Sequence, residues 1–228
     1  MKLAALTSGG KDSLFAAYIM HSQGFEIRYL VTLLPRSEES YMFHRPNAWL
    51  TVYQAAAMGI PLVRRATKGE PEAEVEDLRE ALRSVRDKIQ GVVSGALASE
   101  YQKQRIDVVC EELGLVSFAP LWHKDPEKLL KEMLSAGFEV IITSAAAEGL
   151  SKDWLGRKLT KSCIENLKKL GEKHGLHLAG EGGEYETLVL DMPLFSHKLE
   201  ILGARTTWNG TSGSYVVEDL KMVKKVMK

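Results

Sequence analysis

Through the first 119 residues, short apolar runs alternate with longer stretches of helical spacing, and this alternation limits the folds open to the chain more than any other feature. Residues 2–7 form an apolar stretch of strand length that runs straight into Ser8-Gly9-Gly10, as expected for a strand covered on both faces of a parallel sheet. From residue 11 to 23 apolar side chains recur at Leu14, Ala17 and Tyr18 and at Phe15 and Ile19, which is helical spacing, and Gly24 supplies a stop. A second strand at about 27–34 leads into a polar stretch bearing Pro35 and Pro46. A helix at about 48–58 then ends before Gly59, and a third strand begins at 61–63. Residues 71–86 place Glu76 three before Arg79 and Glu80 three before Arg83, with acids early and Arg83 and Arg86 late, as in a solvated helix aligned with its macrodipole. A strand at 91–94, a helix at about 99–113 stopped by Gly114, and a strand at 116–119 complete the series. Such a series predicts an α/β fold: a doubly wound, open, mainly parallel five-stranded sheet. Ligands of such sheets sit at the carboxyl ends of the strands, near the reversal of strand order.

Beyond Pro120 and Trp122 the pattern changes. A helix at 126–136, a strand at 139–143 and a helix at 161–174 are followed by short strand-like pieces at 186–190, 198–201 and 215–217 separated by glycines. This predicts a smaller mixed α+β C-terminal domain, with domains at 1–121 and 122–228. The lysine-bearing segment from Lys221 to Lys228 reads as a solvated C-terminal segment rather than a membrane or nucleic-acid tether.

The 228 residues suffice for a full core, since a chain this long buries roughly 70–75% of its unfolded surface. Thirty basic and thirty acidic residues cancel to a formal net charge of +0, which argues against a protein that lives on neutralising a phosphate backbone. No direct nucleic-acid binding is expected. No apolar run approaches the roughly 20 residues of a bilayer span, so the expectation is a cytoplasmic protein with no membrane partner. Cys110 and Cys163 form no CxxC pair, and Cys110 shares a helical face with Ile106, Val109 and Leu113, which predicts a buried, inert thiol. His174 and His177 have no nearby acid or cysteine at ligand spacing, and Gly175 reads as a helix stop, so a metal is not expected there.

Ser8-Gly9-Gly10-Lys11-Asp12-Ser13 lies between a predicted strand and a predicted helix, where main-chain N–H groups and the helix dipole converge on an anion. Paired glycines let the backbone approach phosphate oxygens, the serines add hydroxyl donors, Lys11 adds charge and Asp12 offers a magnesium ligand. Neither the GxxxxGK[ST] loop nor the GxGxxG fingerprint is present. The plainer alternative is a tight turn in which Ser8 or Asp12 caps the helix. In this stretch the chain resembles the N-type ATP pyrophosphatases. The resemblance implies an adenine-nucleotide alpha-hydrolase-like fold in which the loop holds the phosphates that leave as pyrophosphate.

A second motif, Gly180-Glu181-Gly182-Gly183-Glu184-Tyr185-Glu186-Thr187, sets three carboxylates within six residues ahead of an apolar strand. If extended, it points Glu184 and Glu186 to one side and Tyr185 to the other. Carboxylates so placed repel, which suggests a cation beside them, whether magnesium, ammonium or a cationic substrate group. The plainer alternative is a solvated turn with charged flanks.

Together with the stretches Glu38-Glu39-Ser40-Tyr41-Met42-Phe43-His44, Gly95-Ala96-Leu97-Ala98-Ser99-Glu100-Tyr101-Gln102 and Trp154-Leu155-Gly156-Arg157, these motifs resemble the diphthine–ammonia ligase family. The resemblance implies ATP-dependent amidation of diphthine on translation elongation factor 2 with ammonium, through an acyl-adenylate, giving diphthamide, AMP and pyrophosphate. It implies ATP and magnesium as cofactors. It casts Ser8, Gly9, Gly10, Lys11, Asp12, Ser13 and Gly95 as nucleotide-binding, and Asp12 as magnesium ligand. It also casts Asp12, Glu181, Glu184 and Glu186 as catalytic. Glu39, His44, Tyr101, Trp122, Gly182, Gly183, Tyr185 and Thr187 would contact substrate, with an aromatic such as Tyr185 or Trp122 offering a cation–π contact to the trimethylammonium of diphthine. Diphthine-bearing elongation factor 2 and ammonium are the expected partners, and a homodimer is compatible with this reading. The alternatives are another ATP pyrophosphatase with a different acceptor, or a non-catalytic adenine-nucleotide sensor.

Overall fold

A computed structural model describes residues 1–35, 47–67 and 71–225. The chain divides into two compact units, Met1–His123 and Lys124–Lys228. Among the described residues no helix is long and apolar enough to cross a membrane.

In the first unit, five strands form one sheet in the order β3-β2-β1-β4-β5. They are β1 (Lys2–Leu6), β2 (Glu26–Pro35), β3 (Leu62–Thr67), β4 (Gly91–Val93) and β5 (Val116–Phe118), and every neighbouring pair is parallel. Four helices connect them: α1 (Lys11–Ser22), α2 (Thr51–Met58), α3 (Pro71–Arg83) and α4 (Glu100–Glu112). This is the expected α/β class. Right-handed crossovers lead from β1 outward to β3 and then, reversed, from β4 outward to β5, so α1 and α2 cover one face and α3 and α4 the other. Strand alternation supplies the second layer: Ala4, Leu6, Tyr29, Val31, Leu33 and Val92 pack with Leu78, Leu82, Ile106 and Val109. Leu82 is fully buried there, so Leu82→Ala would cost about 2–5 kcal/mol. Glycines end the helices as expected, with Gly59 at φ 68° after α2 and Gly114 at φ 62° after α4. Strand order reverses between β1 and β4, and the crevice at the carboxyl ends of this pair is where a doubly wound sheet binds ligands.

In the second unit, an antiparallel sheet has the order β7-β6-β9-β8. Its strands are β6 (Glu139–Ala145), β7 (Tyr185–Asp191), β8 (His197–Trp208) and β9 (Gly213–Lys224), accompanied by α5 (Pro126–Ser135) and α6 (Lys161–His174). Asp125 caps α5 by accepting from the Lys128 N–H at 2.7 Å, with Pro126 in the first turn, and Thr160 caps α6. The expected short pieces at 198–201 and 215–217 lie in the first halves of two 12-residue strands. Through Lys225 the C-terminal segment is largely exposed, as expected, and it is also paired: residues 221–224 pair with β8, and Lys225 Nζ donates to Asp191 Oδ1 at 2.9 Å and to the Met192 carbonyl at 3.0 Å. Half-exposed pairing explains the misreading, because both strands of this arm carry charged residues and the register breaks at Gly203.

Candidate active site

The glycine loop leaves β1 at the strand reversal. Thr7, buried, receives the Gly9 N–H on its Oγ1 at 2.9 Å and pairs that oxygen with Ser13 Oγ at 2.8 Å, so one side chain closes the loop onto the first turn of α1. Thr32 on β2 donates to the Thr7 carbonyl at 2.8 Å. Gln54, fully buried on α2, donates from Nε2 to the Gly9 carbonyl at 3.0 Å. Gly9 has φ 88°, and a Cβ there would stand 2.9 Å from Gln54 Oε1, so glycine is required both by conformation and by space. The N-cap residue of helix α1 is Gly10, which has no side chain to cap with, so the cap is neither Ser8 nor Asp12.

Lys11 is 2% exposed and its Nζ lies 2.8 Å from Asp12 Oδ2. The other oxygen, Asp12 Oδ1, is buried with no hydrogen-bond partner among the described residues. A buried carboxylate oxygen without a donor is costly unless a cation completes it. Asp12 is thus suited to a hard divalent cation such as magnesium, which prefers oxygen ligands. Gly95, just past β4, lies directly on this turn: a Cβ there would meet Ser13 N at 2.5 Å and Asp12 C and Ser13 Cα at 2.7 Å. The fold therefore brings Ser8, Gly9, Gly10, Lys11, Asp12, Ser13 and Gly95 together at one crevice.

Tyr101 and Trp122, also in this unit, each carry a cation of the chain itself. Arg105 stacks with its guanidinium carbon 3.4 Å from the Tyr101 ring centre, and Lys103 Nζ lies 5.6 Å from the Trp122 ring centre. Lys103 also bonds Asp107 Oδ2 at 2.5 Å. Burial pushes the Asp107 carboxyl up, but hydrogen bonds from Lys103 and Ser117 outweigh it and hold the group below the usual range. Cys110, one helical turn on, is buried, and its thiol is pushed up to about 12 by that burial and by the Asp107 charge. Glu39 and His44 lie outside the described residues.

In the second unit, the acidic motif folds into a tight loop ahead of β7. Glu184 Oε1 accepts the His177 N–H and Oε2 the Gly182 N–H, both at 2.8 Å. The Tyr185 hydroxyl donates to the Leu178 carbonyl at 2.7 Å, and its ring is 2% exposed. Gly180 (φ 76°) needs its missing Cβ, since one would stand 2.9 Å from the Tyr185 carbonyl oxygen. Tyr185 and Thr187 are buried while Glu184 and Glu186 are half-buried, as the alternation of an extended segment requires; Glu181 is half-buried and Gly182 and Gly183 are exposed. Glu184 and Tyr185 thus make contacts that build the loop. The stretch 154–157 runs along β6: Gly156 N–H donates to the Ile142 carbonyl at 2.8 Å and Ile142 N–H to the Arg157 carbonyl at 3.0 Å. His174 and His177 take separate partners, the first Glu148 at 3.1 Å and the second the loop's own amides.

Thr7, Thr32 and Gln54 escape the motif reading. The available signal is polarity at buried positions: Gln54 is the one long polar side chain on a helix face of otherwise small residues, Thr7 falls at the carboxyl end of an apolar strand and Thr32 within the next.

Comparison with known proteins bears on both units. Residues 1–117 match the family model described as the diphthamide synthase N-terminal domain, and residues 125–223 the diphthamide synthase C-terminal domain. The chain belongs to the diphthamide synthase family. Proteins named diphthine–ammonia ligase are similar across most of its length: one from Mus musculus at 39% identity over 88% of this chain and 83% of that protein, and one from Danio rerio at 37% over 98% and 95%. A Schizosaccharomyces pombe protein of the same name is 36% identical over 87% of this chain, which covers only 36% of that longer relative. A solved structure from Methanocaldococcus jannaschii, described as a predicted subunit of tRNA methyltransferase, aligns at TM-score 0.45 and 14% identity over 85% of this chain and 98% of that one. That likeness is too slight to bear on the assignment. In this member of the diphthamide synthase family, the glycine loop falls within the N-terminal match and the acidic loop within the C-terminal match.

Proposed function

We propose that this chain is a diphthine–ammonia ligase: it amidates diphthine on translation elongation factor 2 with ammonium, consuming ATP as substrate and releasing AMP and pyrophosphate. The observation that carries this reading is the family match across both compact units, which joins the phosphate-type loop of the first and the acidic loop of the second in one enzyme. In this reading the first unit is the ATP pyrophosphatase domain and the second serves the acceptor.

A carboxylate is a poor electrophile, so its coupling to ammonia needs a leaving group; attack of the diphthine carboxylate on the α-phosphorus supplies one, and ammonia then displaces AMP. The first-turn N–H groups of α1, the Gly9-Gly10 backbone and the Ser8 and Ser13 hydroxyls would bind the departing phosphates. Thr7 and Gln54 hold that loop in shape before substrate arrives, the kind of preorganisation that lowers a barrier. Lys11 orients Asp12 through their 2.8 Å contact, and Asp12 Oδ1 would hold magnesium. When bound there, magnesium supplies positive charge to offset the charge developing on pyrophosphate. In the acidic loop, Glu184 and Tyr185 act as builders through the contacts described above. Glu181 and Glu186 are assigned to ammonium and its proton, or to the trimethylammonium of diphthine. Tyr101 and Trp122, with Arg105 and Lys103 on their rings, are assigned to contact with the protein substrate.

The test is product analysis. Purified chain with ATP and diphthine-bearing elongation factor 2 should release pyrophosphate, and sustained release of AMP with amidation of the factor should require ammonium as well. AMP released without any change in the factor would point to a different acceptor. ATP bound with no AMP formed would leave only a nucleotide sensor.

A further inference from the structure

We infer that His177 is a positioning residue for the amidation, its ring nitrogen Nδ1 acting as the acceptor around which residues 177–184 fold. The Ala179 N–H reaches His177 Nδ1 at 3.3 Å and the Glu181 N–H reaches the same atom at 3.4 Å. Both contacts are long for single hydrogen bonds, as expected where one lone pair serves two donors. The main chain of His177 is tied into the same loop: its N–H donates to Glu184 Oε1 at 2.8 Å, and its carbonyl accepts from Gly180 N–H at 2.8 Å. Gly183 N–H then bonds the Gly180 carbonyl at 3.3 Å, and Gly182 N–H bonds Glu184 Oε2 at 2.8 Å. His177 and Glu184 therefore brace opposite ends of the loop, one through an imidazole nitrogen and one through a carboxylate.

This geometry dictates a tautomer. An imidazole nitrogen that accepts two N–H groups carries no proton, so the ring's single proton lies on Nε2. The arrangement imitates the turn in which an Asn or Asp oxygen accepts an amide two residues on. Its consequence falls on Glu181, whose main-chain N–H is pinned to the ring and whose carboxylate consequently extends from a fixed backbone. Leucine in place of His177 keeps bulk and loses the acceptor. Asparagine keeps an acceptor close to the position of Nδ1.

The inference rests on the assignment of Glu181 to ammonium, so the experiment separates the two. In 15N-labelled protein, His177→Leu should speed amide exchange at Ala179 and Glu181, and His177→Asn should restore slow exchange. The His177 ring of the native chain should show a proton on Nε2 alone. In the amidation assay, His177→Leu should raise the KM for ammonium about tenfold, the equivalent of one net hydrogen bond, with the KM for ATP unchanged and His177→Asn near native. Unchanged exchange in His177→Leu, a proton on Nδ1, or failure of His177→Asn to rescue would overturn the inference. So would a native ammonium KM in His177→Leu: if Glu181→Gln is impaired, only the inference falls, whereas if Glu181→Gln is also native, the assignment of Glu181 to ammonium falls with it.

Discussion

Replacing Gly95 by alanine places one methyl group against the main chain of α1 at the turn that carries Asp12. The added Cβ would stand 2.5 Å from Ser13 N, and ordinary contact begins at 3.4 Å, so the two must separate by about 0.9 Å (3.4 − 2.5). No flexible side chain can absorb this, because the three nearest atoms are all backbone. Either β4 and its following turn move, or the first turn of α1 shifts and takes Asp12 and Ser13 with it. Overpacking of this kind costs about 1–3 kcal/mol of stability. A misplacement of about 1 Å in a catalytic group costs on the order of 100-fold in rate. Gly95→Ala should therefore fold with a lowered melting temperature and release pyrophosphate about 100-fold more slowly, measured under saturating ATP with diphthine-bearing elongation factor 2 and ammonium. Native melting and native pyrophosphate release in this variant would refute the close approach of Gly95 to the loop and its role in placing Asp12.

Asp12→Asn keeps the shape of the side chain and removes its charge; pyrophosphate release should fall at least about 100-fold, and the extra thermal stabilisation by ATP with magnesium over ATP alone should vanish, which calorimetry would show. Burial pushes the Glu139 carboxyl up, but hydrogen bonds and charge from Lys198, with Lys158, outweigh it and hold the group below its usual value. Its contribution to stability is thus complete above the unfolded pKa, near 4.5, and is lost as pH falls through the lower folded value. Between those values Lys198→Met should flatten the acid loss of stability seen by chemical denaturation, and an unaltered acid limb would contradict the pairing. With its thiol pushed up to about 12, Cys110 should fail to react with a disulfide reagent at pH 8 in the folded chain and react fully in denaturant; Cys163, also raised by burial, should behave alike, and rapid native labelling would refute the burial of both.

The first unit was legible because each of its elements is punctuated locally. Gly24, Gly59 and Gly114 stand where helices must stop, and the central strands β1 and β4 are apolar enough to be covered on both faces. The β8–β9 arm was not, since its half-exposed strands interleave charged with apolar residues and their pairing spans sequence neighbours only through the turn at Asn209. At the candidate site, the glycine loop announced itself through residue types that share one chemistry. Its supports did not: Thr7, Thr32 and Gln54 act through partners that the fold supplies from other strands and helices. Glu184 illustrates the same limit. A carboxylate between glycines suggests a cation by its charge, whereas its two oxygens accept main-chain N–H groups that carry no signature in the residue alphabet.

The most direct measurement follows nitrogen and nucleotide together. With 15N-ammonium, ATP and diphthine-bearing elongation factor 2, the label should enter the diphthine residue of the factor and AMP should appear in equal amount. AMP in the absence of label on the factor, or label incorporated with ADP as the product, would contradict the proposed reaction.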